Sequence, residues 1–316
     1  MAIYITGSLA YDRIMRFPGN FSESILPEHV SILNVSFFIG SMDEKLGGNA
    51  GNIAYSLALL DEKAIIVSSA GKDFGPYASV LAGLGLSTEG IRIDENDRTA
   101  GCYIITDRQN NQITAFHAAA MTASCGYAFP KADPKTDIAI IAPSNPGDMI
   151  AQPRFFKANN IRYIYDPAQQ IPALDRFGMK AAVEGAFLLI GNDYEITLIS
   201  ELTGYSLDEL VNKTVRGVVV TCGEKGSRIH EKDNKTTEIA AVAVDAVADP
   251  TGAGDAYRSG LLRGLVADLS LADCCRLGAT CAAYCVEKKG TQEHCYTMHE
   301  FRTRYEAAFG KGAFPL

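Results

Sequence analysis

The stretch Asp249-Pro250-Thr251-Gly252-Ala253-Gly254-Asp255-Ala256-Tyr257 places an anion site and a carboxylate side by side. Pro250 cannot continue a preceding regular element, and Gly252 and Gly254 let the backbone fold tightly with its N–H groups turned outward. Downstream, Tyr257, Leu261, Leu262, Leu265 and Leu269 recur at helical spacing, so a helix opens here. Its free N–H groups and the positive end of its dipole attract phosphate oxygens. A carboxylate in the first turn is repelled by any ligand such a site attracts. It has a use there if it takes a proton from a hydroxyl that attacks the phosphate. From spacing alone, Asp255 could equally be a helix cap.

The whole nonamer resembles the C-terminal signature of the ribokinase-like (PfkB) family of small-molecule kinases. The Asp-Pro-Thr-Gly form, followed by Asp-Ala-Tyr-Arg-Ser-Gly, is similar to the bacterial adenosine kinases within that family. The resemblance implies that Asp255 is the general base and that the backbone of Gly252, Ala253, Gly254 and Asp255 forms the anion hole. It implies an enzyme that phosphorylates a nucleoside 5′-hydroxyl with ATP, adenosine to AMP first of all. A sugar kinase of ribokinase or fructokinase type on the same fold is the nearer alternative, and a catalytically silent nucleoside-binding protein the farther one.

Further segments carry the same resemblance. Gly47-Gly48-Asn49-Ala50-Gly51-Asn52 runs into a helix with Ile53, Ala54, Leu57 and Leu60 on one face. Two glycines before a helix let a ligand approach the backbone, and Asn offers both donor and acceptor, although an ordinary N-cap explains Asn49 as well. The run is similar to the family's N-terminal signature. This implies sugar contacts for Gly48 and Asn52, with Gly47 as a turn or hinge. Asp61 stands where family members more usually place Gly. Asp12, just beyond the first strand with Ser8 beside it, takes the position of the family's sugar-holding Asp. The order Gly-Ser-Leu-Ala-Tyr-Asp, Arg-Phe-Pro-Gly, Leu-Pro-Glu-His, Val-Ser-Phe and Asp166-Pro-Ala-Gln-Gln-Ile extends the likeness over nearly the whole chain. It implies nucleoside contacts from Ser36, Phe116, Met121, Gln169 and Gln170. Cys102 departs from the aromatic usual in adenosine kinases of this type, which bears on base selectivity.

On the nucleotide side, Asn192-Asp193-Tyr194-Glu195 resembles the motif that organises Mg²⁺ and its waters. One amide and one carboxylate suit a cation bound largely through water, and unaided the tetrapeptide reads as the acidic start of a helix. Thr221, Gly223 and Gly226 match the loop that approaches ATP, together with Thr251, Gly252 and Gly254. Lys289-Gly290-Thr291-Gln292 resembles the loop closing over the nucleotide, where the region of Asp249 supports a potassium ion in many members.

The elements that must position these residues read as an α/β chain. Apolar runs at Ile3–Leu9, Ala64–Ser68, Ile138–Ala142, Tyr163–Tyr165, Ala186–Ile190 and Val218–Thr221 alternate with segments that can be helical. This alternation argues a mostly parallel sheet covered by helices on both faces. Ser206 with Glu209 forms a capping box for one of those helices. Two excursions interrupt the alternation: Arg13 to Leu46, with a β-rich run Val30 to Ile39, and Arg98 to Ala118, which reads as a hairpin. The expected fold is therefore α/β: a ribokinase-like three-layer αβα core with a small β-sheet lid. Residues 1–12, 46–97 and 119–316 make the core, and 13–45 and 98–118 the lid. Phe37, Phe116 and Met121 give that lid an apolar cover suited to a flat base.

Composition bounds the partners. The chain has 316 residues, 47% of them hydrophobic, enough for a large core. Its net charge of −8 argues against nucleic acid or an anionic membrane as the main partner. The N-terminus has no basic region before an apolar stretch, which leads us to expect a cytoplasmic protein. The eight cysteines include no C-x-x-C pair, and Cys274, Cys281 and Cys285 follow one apolar helical stripe. They read as buried thiols packed as small hydrophobes. A homodimer formed through the lid is the expected assembly, since such lids pair in some family members.

Overall fold

In the computed structural model, which describes residues 1–25 and 34–316, the alternating segments build two sheets. In chain order the strands are β1 (Ile3–Thr6), β2 (Ala10–Arg16), β3 (Ser41–Gly47), β4 (Ala64–Gly71), β5 (Ile91–Asp94), β6 (Ala100–Thr106), β7 (Gln112–His117), β8 (Ile138–Ile141), β9 (Arg162–Tyr165), β10 (Leu188–Asn192), β11 (Val218–Thr221), β12 (Ser227–Glu231) and β13 (Lys235–Ile239). The helices are α1 (Asn49–Ala58), α2 (Gly75–Gly83), α3 (Pro146–Ala158), α4 (Arg176–Val183), α5 (Asp193–Thr203), α6 (Leu207–Lys213), α7 (Ala253–Val266), α8 (Leu271–Val286) and α9 (Met298–Phe309).

The large sheet has nine strands in the order β13-β12-β11-β10-β9-β8-β1-β4-β5, parallel except for β12 and β13. Its side chains alternate between two cores. Ile3, Ile5, Ile66, Ile138 and Ile140 face α1, α2, α7 and α8, while Tyr4, Val67, Ala139, Ile141 and Tyr163 face α3 to α6. Three layers result, and α9 packs outside α8 through Phe301 and Tyr305. Chain progression reverses at β1, which pairs with β4 on one side and β8 on the other. Ligands of open α/β sheets bind at the carboxyl end of such a switch point.

The small sheet has four strands in the order β3-β2-β6-β7. Register aligns Asp12 of β2 with Cys102 of β6, and Cys102 with Phe116 of β7, in one row across three strands. Two sequence expectations change here. Asp12 lies on a strand of this sheet, not on the loose end of β1, because pairing with β3 and β6 resumes at Ala10. Of the β-rich run Val30–Ile39, residues 30–33 lie outside the described residues and 34–39 have no regular structure, while the strand that pairs with β2 is Ser41–Gly47. Pairing against β2 decides the strand, overriding local β-propensity. Strands β5, β12 and β13 were not foreseen, being short or partly exposed. Asp61 takes φ 59° in the turn after α1, the left-handed region where Gly is favoured and Asp is tolerated. The capping box of Ser206 and Glu209 forms at α6, and the eight cysteines are all free thiols, Cys274, Cys281 and Cys285 buried on α8. Among the described residues no helix is long and apolar enough to cross a membrane.

Helices α7 and α8 touch through glycines: a Cβ on Gly260 would overlap the backbone of Leu277 and Gly278. This close approach fixes the helix that carries Asp255. Gly260→Ala is therefore expected to cost about 1–3 kcal/mol of stability, read as a lowered midpoint in urea unfolding.

Candidate active site

Gly252, in the left-handed region at φ 80°, turns the chain into α7, and Asp255 occupies the first turn. That turn is a wall shared by two cavities. The first, about 520 Å³, is lined by Asp255, Gly252 and Thr251, by Ser8, Gly48, Asn49 and Asn52, by Asp12, Cys102 and Phe116 of the small sheet, and by Met121, Gln169 and Gln170. The second, about 440 Å³, takes Ala253 and Gly254 from the same turn, with Thr221, Gly223 and Gly226 opposite and Val242, Val244, Ala279, Ala283 and Val286 as an apolar wall. Both volumes lie in the range of small-molecule sites. The first N–H groups of α7 have no acceptor within the helix and lie between the cavities.

Asp255 is only 8% exposed. Asn49 Nδ2 donates to its Oδ1 at 2.9 Å and Asn52 Nδ2 to its Oδ2 at 2.8 Å. Burial pushes its carboxyl up to about 6; the two amides and the Arg258 guanidinium pull it back, and Asp166 adds to the rise. Asp12 is also raised to about 6, first by burial and then by the charges of Asp255 and Asp249. Beneath the turn, Arg258 Nε and Nη2 donate to Asp166 Oδ2 and Oδ1 at 2.8 and 2.7 Å, a bidentate pair buried on both sides. Arg258 Nη1 also donates to the Gly254 carbonyl at 3.3 Å. Burial opposes the Arg258 charge, yet Asp166 holds its pKa above the usual value.

Most of the residues singled out in the sequence meet here. Asn49 does not cap α1: Gly48 occupies the cap position at φ 88°, and the Asn49 side chain turns to Asp255. Gly47 faces Asp12, whose carboxylate would collide with a Cβ there. Gln170 Nε2 holds the Ser144 carbonyl at 2.7 Å, and Gln169 Nε2 donates to Asn49 Oδ1 at 3.0 Å. Ser36 is exposed and lines neither cavity. Phe37 packs against Phe17 and Phe21 at ring distances of 4.9 and 5.2 Å, as lid core. Asn192 and Glu195 form a reciprocal capping box at α5 and line neither cavity. Burial raises the Glu195 carboxyl, the Asn192 N–H lowers it, Asp166 raises it and Arg258 lowers it. A half-buried carboxylate of this kind, with one oxygen on a single N–H, fits a water-sheathed cation. Asp249 accepts from the N–H groups of Thr251 and Gly290, tying the loop after α8 to the anion turn.

Sequence reasoning missed three groups. The spacing of Asn49 and Asn52, three apart on one helix face, was a usable signal for their joint grip on Asp255. Asp166 and Arg258 are 92 positions apart, and no local pattern joins them. Gln292, singled out only within the loop Lys289–Gln292, and Tyr77 stand behind Asn52, and no local pattern joins the three.

A three-layer α/β sheet with an inserted small sheet over a carboxylate at a helix start defines a small-molecule kinase. Residues 34–297 match the pfkB family carbohydrate kinase, and the chain belongs to that family as an ATP-dependent kinase. The nucleoside kinase of Methanocaldococcus jannaschii is 32% identical over 275 residues, 86% of this chain and 89% of that protein. The structure of Burkholderia thailandensis nucleoside kinase in complex with inosine is 37% identical, with a TM-score of 0.87 over 98% of this chain and 99% of that one. Thermotoga maritima ribokinase, 20% identical over 97% and 99% of the two chains with a TM-score of 0.77, shares the ribokinase-like fold.

Replacing Asp166 by Asn would leave the Arg258 charge buried and unpaired. We expect a loss of about 3–5 kcal/mol, with much of it recovered in the double variant Asp166→Leu/Arg258→Met; chemical denaturation of both measures this.

Proposed function

We propose that the chain transfers the γ-phosphoryl group of ATP to the 5′-hydroxyl of a purine nucleoside, with adenosine to AMP as the leading reaction. The observation that carries this reading is the turn Gly252–Asp255, a common wall between one cavity with a buried carboxylate and another walled by apolar side chains. The nucleoside would lie in the first cavity. Asp12, Asn52 and the backbone at Gly48, with Ser8 nearby, would bind ribose hydroxyls. Phe116 and Met121 would cover the base, with Gln169 and Gln170 at its polar edge. Inosine in the Burkholderia relative supports a purine in this place.

ATP would occupy the second cavity, its base against the apolar wall and its phosphates reaching the N–H groups of Gly252 to Asp255 past Thr221, Gly223 and Gly226. Asp255 accepts the 5′-hydroxyl proton as that oxygen bonds to the γ-phosphorus and the bond to the β–γ bridging oxygen breaks, releasing ADP. The helix-start N–H groups stabilise charge on the transferring group without having to reorganise. Mg²⁺, held by Glu195 and Asn192 through water, would neutralise phosphate charge when bound. A potassium ion beside Asp249 and pairing of two lids in a homodimer belong to the same proposal; sedimentation of the full chain tests the pairing.

The family description, a carbohydrate kinase, favours ribose or a fructose-type acceptor as the second reading. ADP release with MgATP and adenosine, inosine, cytidine, ribose or fructose separates the two: the highest kcat/KM is expected with a purine nucleoside. Asp255→Asn is expected to lower kcat by about 10²–10⁴. Full turnover in that variant sinks the assignment of the base, and nucleoside binding without ADP release from the unmodified chain would make it a binding protein.

The pH profile carries a separate expectation. Asp255 must be ionised to accept a proton, and it titrates near 6 in the free protein, as Asp12 does. Activity should thus be full above that value, with kcat/KM falling as the pH drops through about 6, a limb belonging to the pair. A profile flat to pH 5 would contradict it.

A further inference from the structure

Tyr77 Oη donates to the carbonyl of Gly47 at 2.9 Å, and a carbonyl can only accept. With its proton committed there, Tyr77 offers Gln292 lone pairs alone, and Gln292 Nε2 donates to it at 2.7 Å. The same amide nitrogen donates to Asn52 Oδ1 at 3.0 Å. The Asn52 amide is thereby fixed with its oxygen toward Gln292 and its nitrogen toward Asp255 Oδ2, at 2.8 Å. Donor polarity set at a backbone carbonyl of β3 thus passes through three side chains to the carboxylate. Gly51 makes the room, since a Cβ there would overlap the Tyr77 hydroxyl. Gln292 lines neither cavity, so it reaches the reaction only through Asn52.

We infer that Gln292 is a positioning residue for phosphoryl transfer, holding Asn52 as a hydrogen-bond donor to Asp255. The inference rests on the reading of Asp255 as base. Asn49 grips the other carboxylate oxygen and is held separately, by Gln169. The charged and titratable groups acting on Asp255 from the surrounding elements are Arg258 on its own helix and Asp166 after β9. Asp12 on β2, Tyr77 on α2 and Cys285 on α8 also feel its charge. Gln292 changes none of these charges. Its effect is confined to the direction of one amide.

Gln292→Met keeps the volume and removes the donor, so Asn52 is free to turn. Gln292→Glu adds an acceptor that draws Asn52 Nδ2 away and turns Oδ1 onto Asp255, with a new negative charge nearby. With the full chain, MgATP and adenosine, the acid limb of kcat/KM is expected to move up by about one pH unit in the Met variant and further in the Glu variant, with kcat falling about tenfold. A limb that stays in place in both variants, whatever their activity, overturns the inference. If neither variant folds, Tyr77→Phe carries the test: loss of the polarity anchor should move the limb upward, and an unmoved limb is again the negative result. An inactive Asp255→Asn together with unmoved limbs rejects the role of Gln292 alone, whereas an active Asp255→Asn rejects the base itself.

Discussion

One constraint organises this molecule: a carboxylate is kept almost out of water at the start of a helix whose N–H groups attract anions. An isolated buried carboxylate would take up a proton. Here two amide donors, one on each oxygen, and a guanidinium one helical turn further on hold Asp255 close to the boundary between its two states. A solvated carboxylate would titrate lower and be a weaker base. A more deeply isolated one would be protonated at neutral pH. The helix α1 supplies both amides, which explains the close packing of α1 against α7 and the glycines through which α7 in turn approaches α8.

The ion pair below belongs to the same balance. Arg258 carries a full positive charge where water is excluded, and such a charge is tolerable because Asp166 meets it with two hydrogen bonds. The pair is close to neutral as a unit, but Arg258 is the nearer partner of the anion turn through the Gly254 carbonyl. It lowers the pKa of both Asp255 and Glu195 while Asp166 raises it. The carboxylates on the two sides of the turn are thus tuned by one buried dipole.

Much of this was legible in the chain because its signals are local. The nonamer around Asp255 shows the proline, the glycines and the helical apolar spacing within a single stretch, and the alternation of apolar runs gives the parallel core directly. The small sheet was legible at its hairpin, where Gly101–Thr106 and Gln112–Phe116 flank a polar turn, and illegible at β2 and β3. There the strands are defined by pairing with each other, and Met42, Glu44 and Leu46 alternate with Asp43 and Lys45 too weakly to announce a buried face. Ser36, named on resemblance for a nucleoside contact, precedes β3 in a segment without regular structure and lines neither cavity. The partners of Asp255 were hidden by distance along the chain. Asn52 was named for a sugar contact on resemblance, whereas its hydrogen bond to Asp255 spans 203 positions.

The division between the sheets separates chemistry from choice. Every group that acts on a phosphate in the proposed reaction lies on the large sheet or its helices, where packing fixes geometry to fractions of an ångström. The cavity-facing row Asp12, Cys102 and Phe116 lies on the small sheet, one residue per strand, and Phe116 is 53% exposed. A substitution in that row alters the acceptor's surroundings without disturbing α7. In the proposed reaction a thiol in the middle of the row lowers the wall between Asp12 and Phe116, which makes Cys102 the natural place for acceptor selectivity to be set. Asp12 links the two regions, since its strand belongs to the small sheet while its acidity is set in part by Asp255. In the proposed reaction that one residue would couple electrostatically how the acceptor is gripped and how readily its proton is taken.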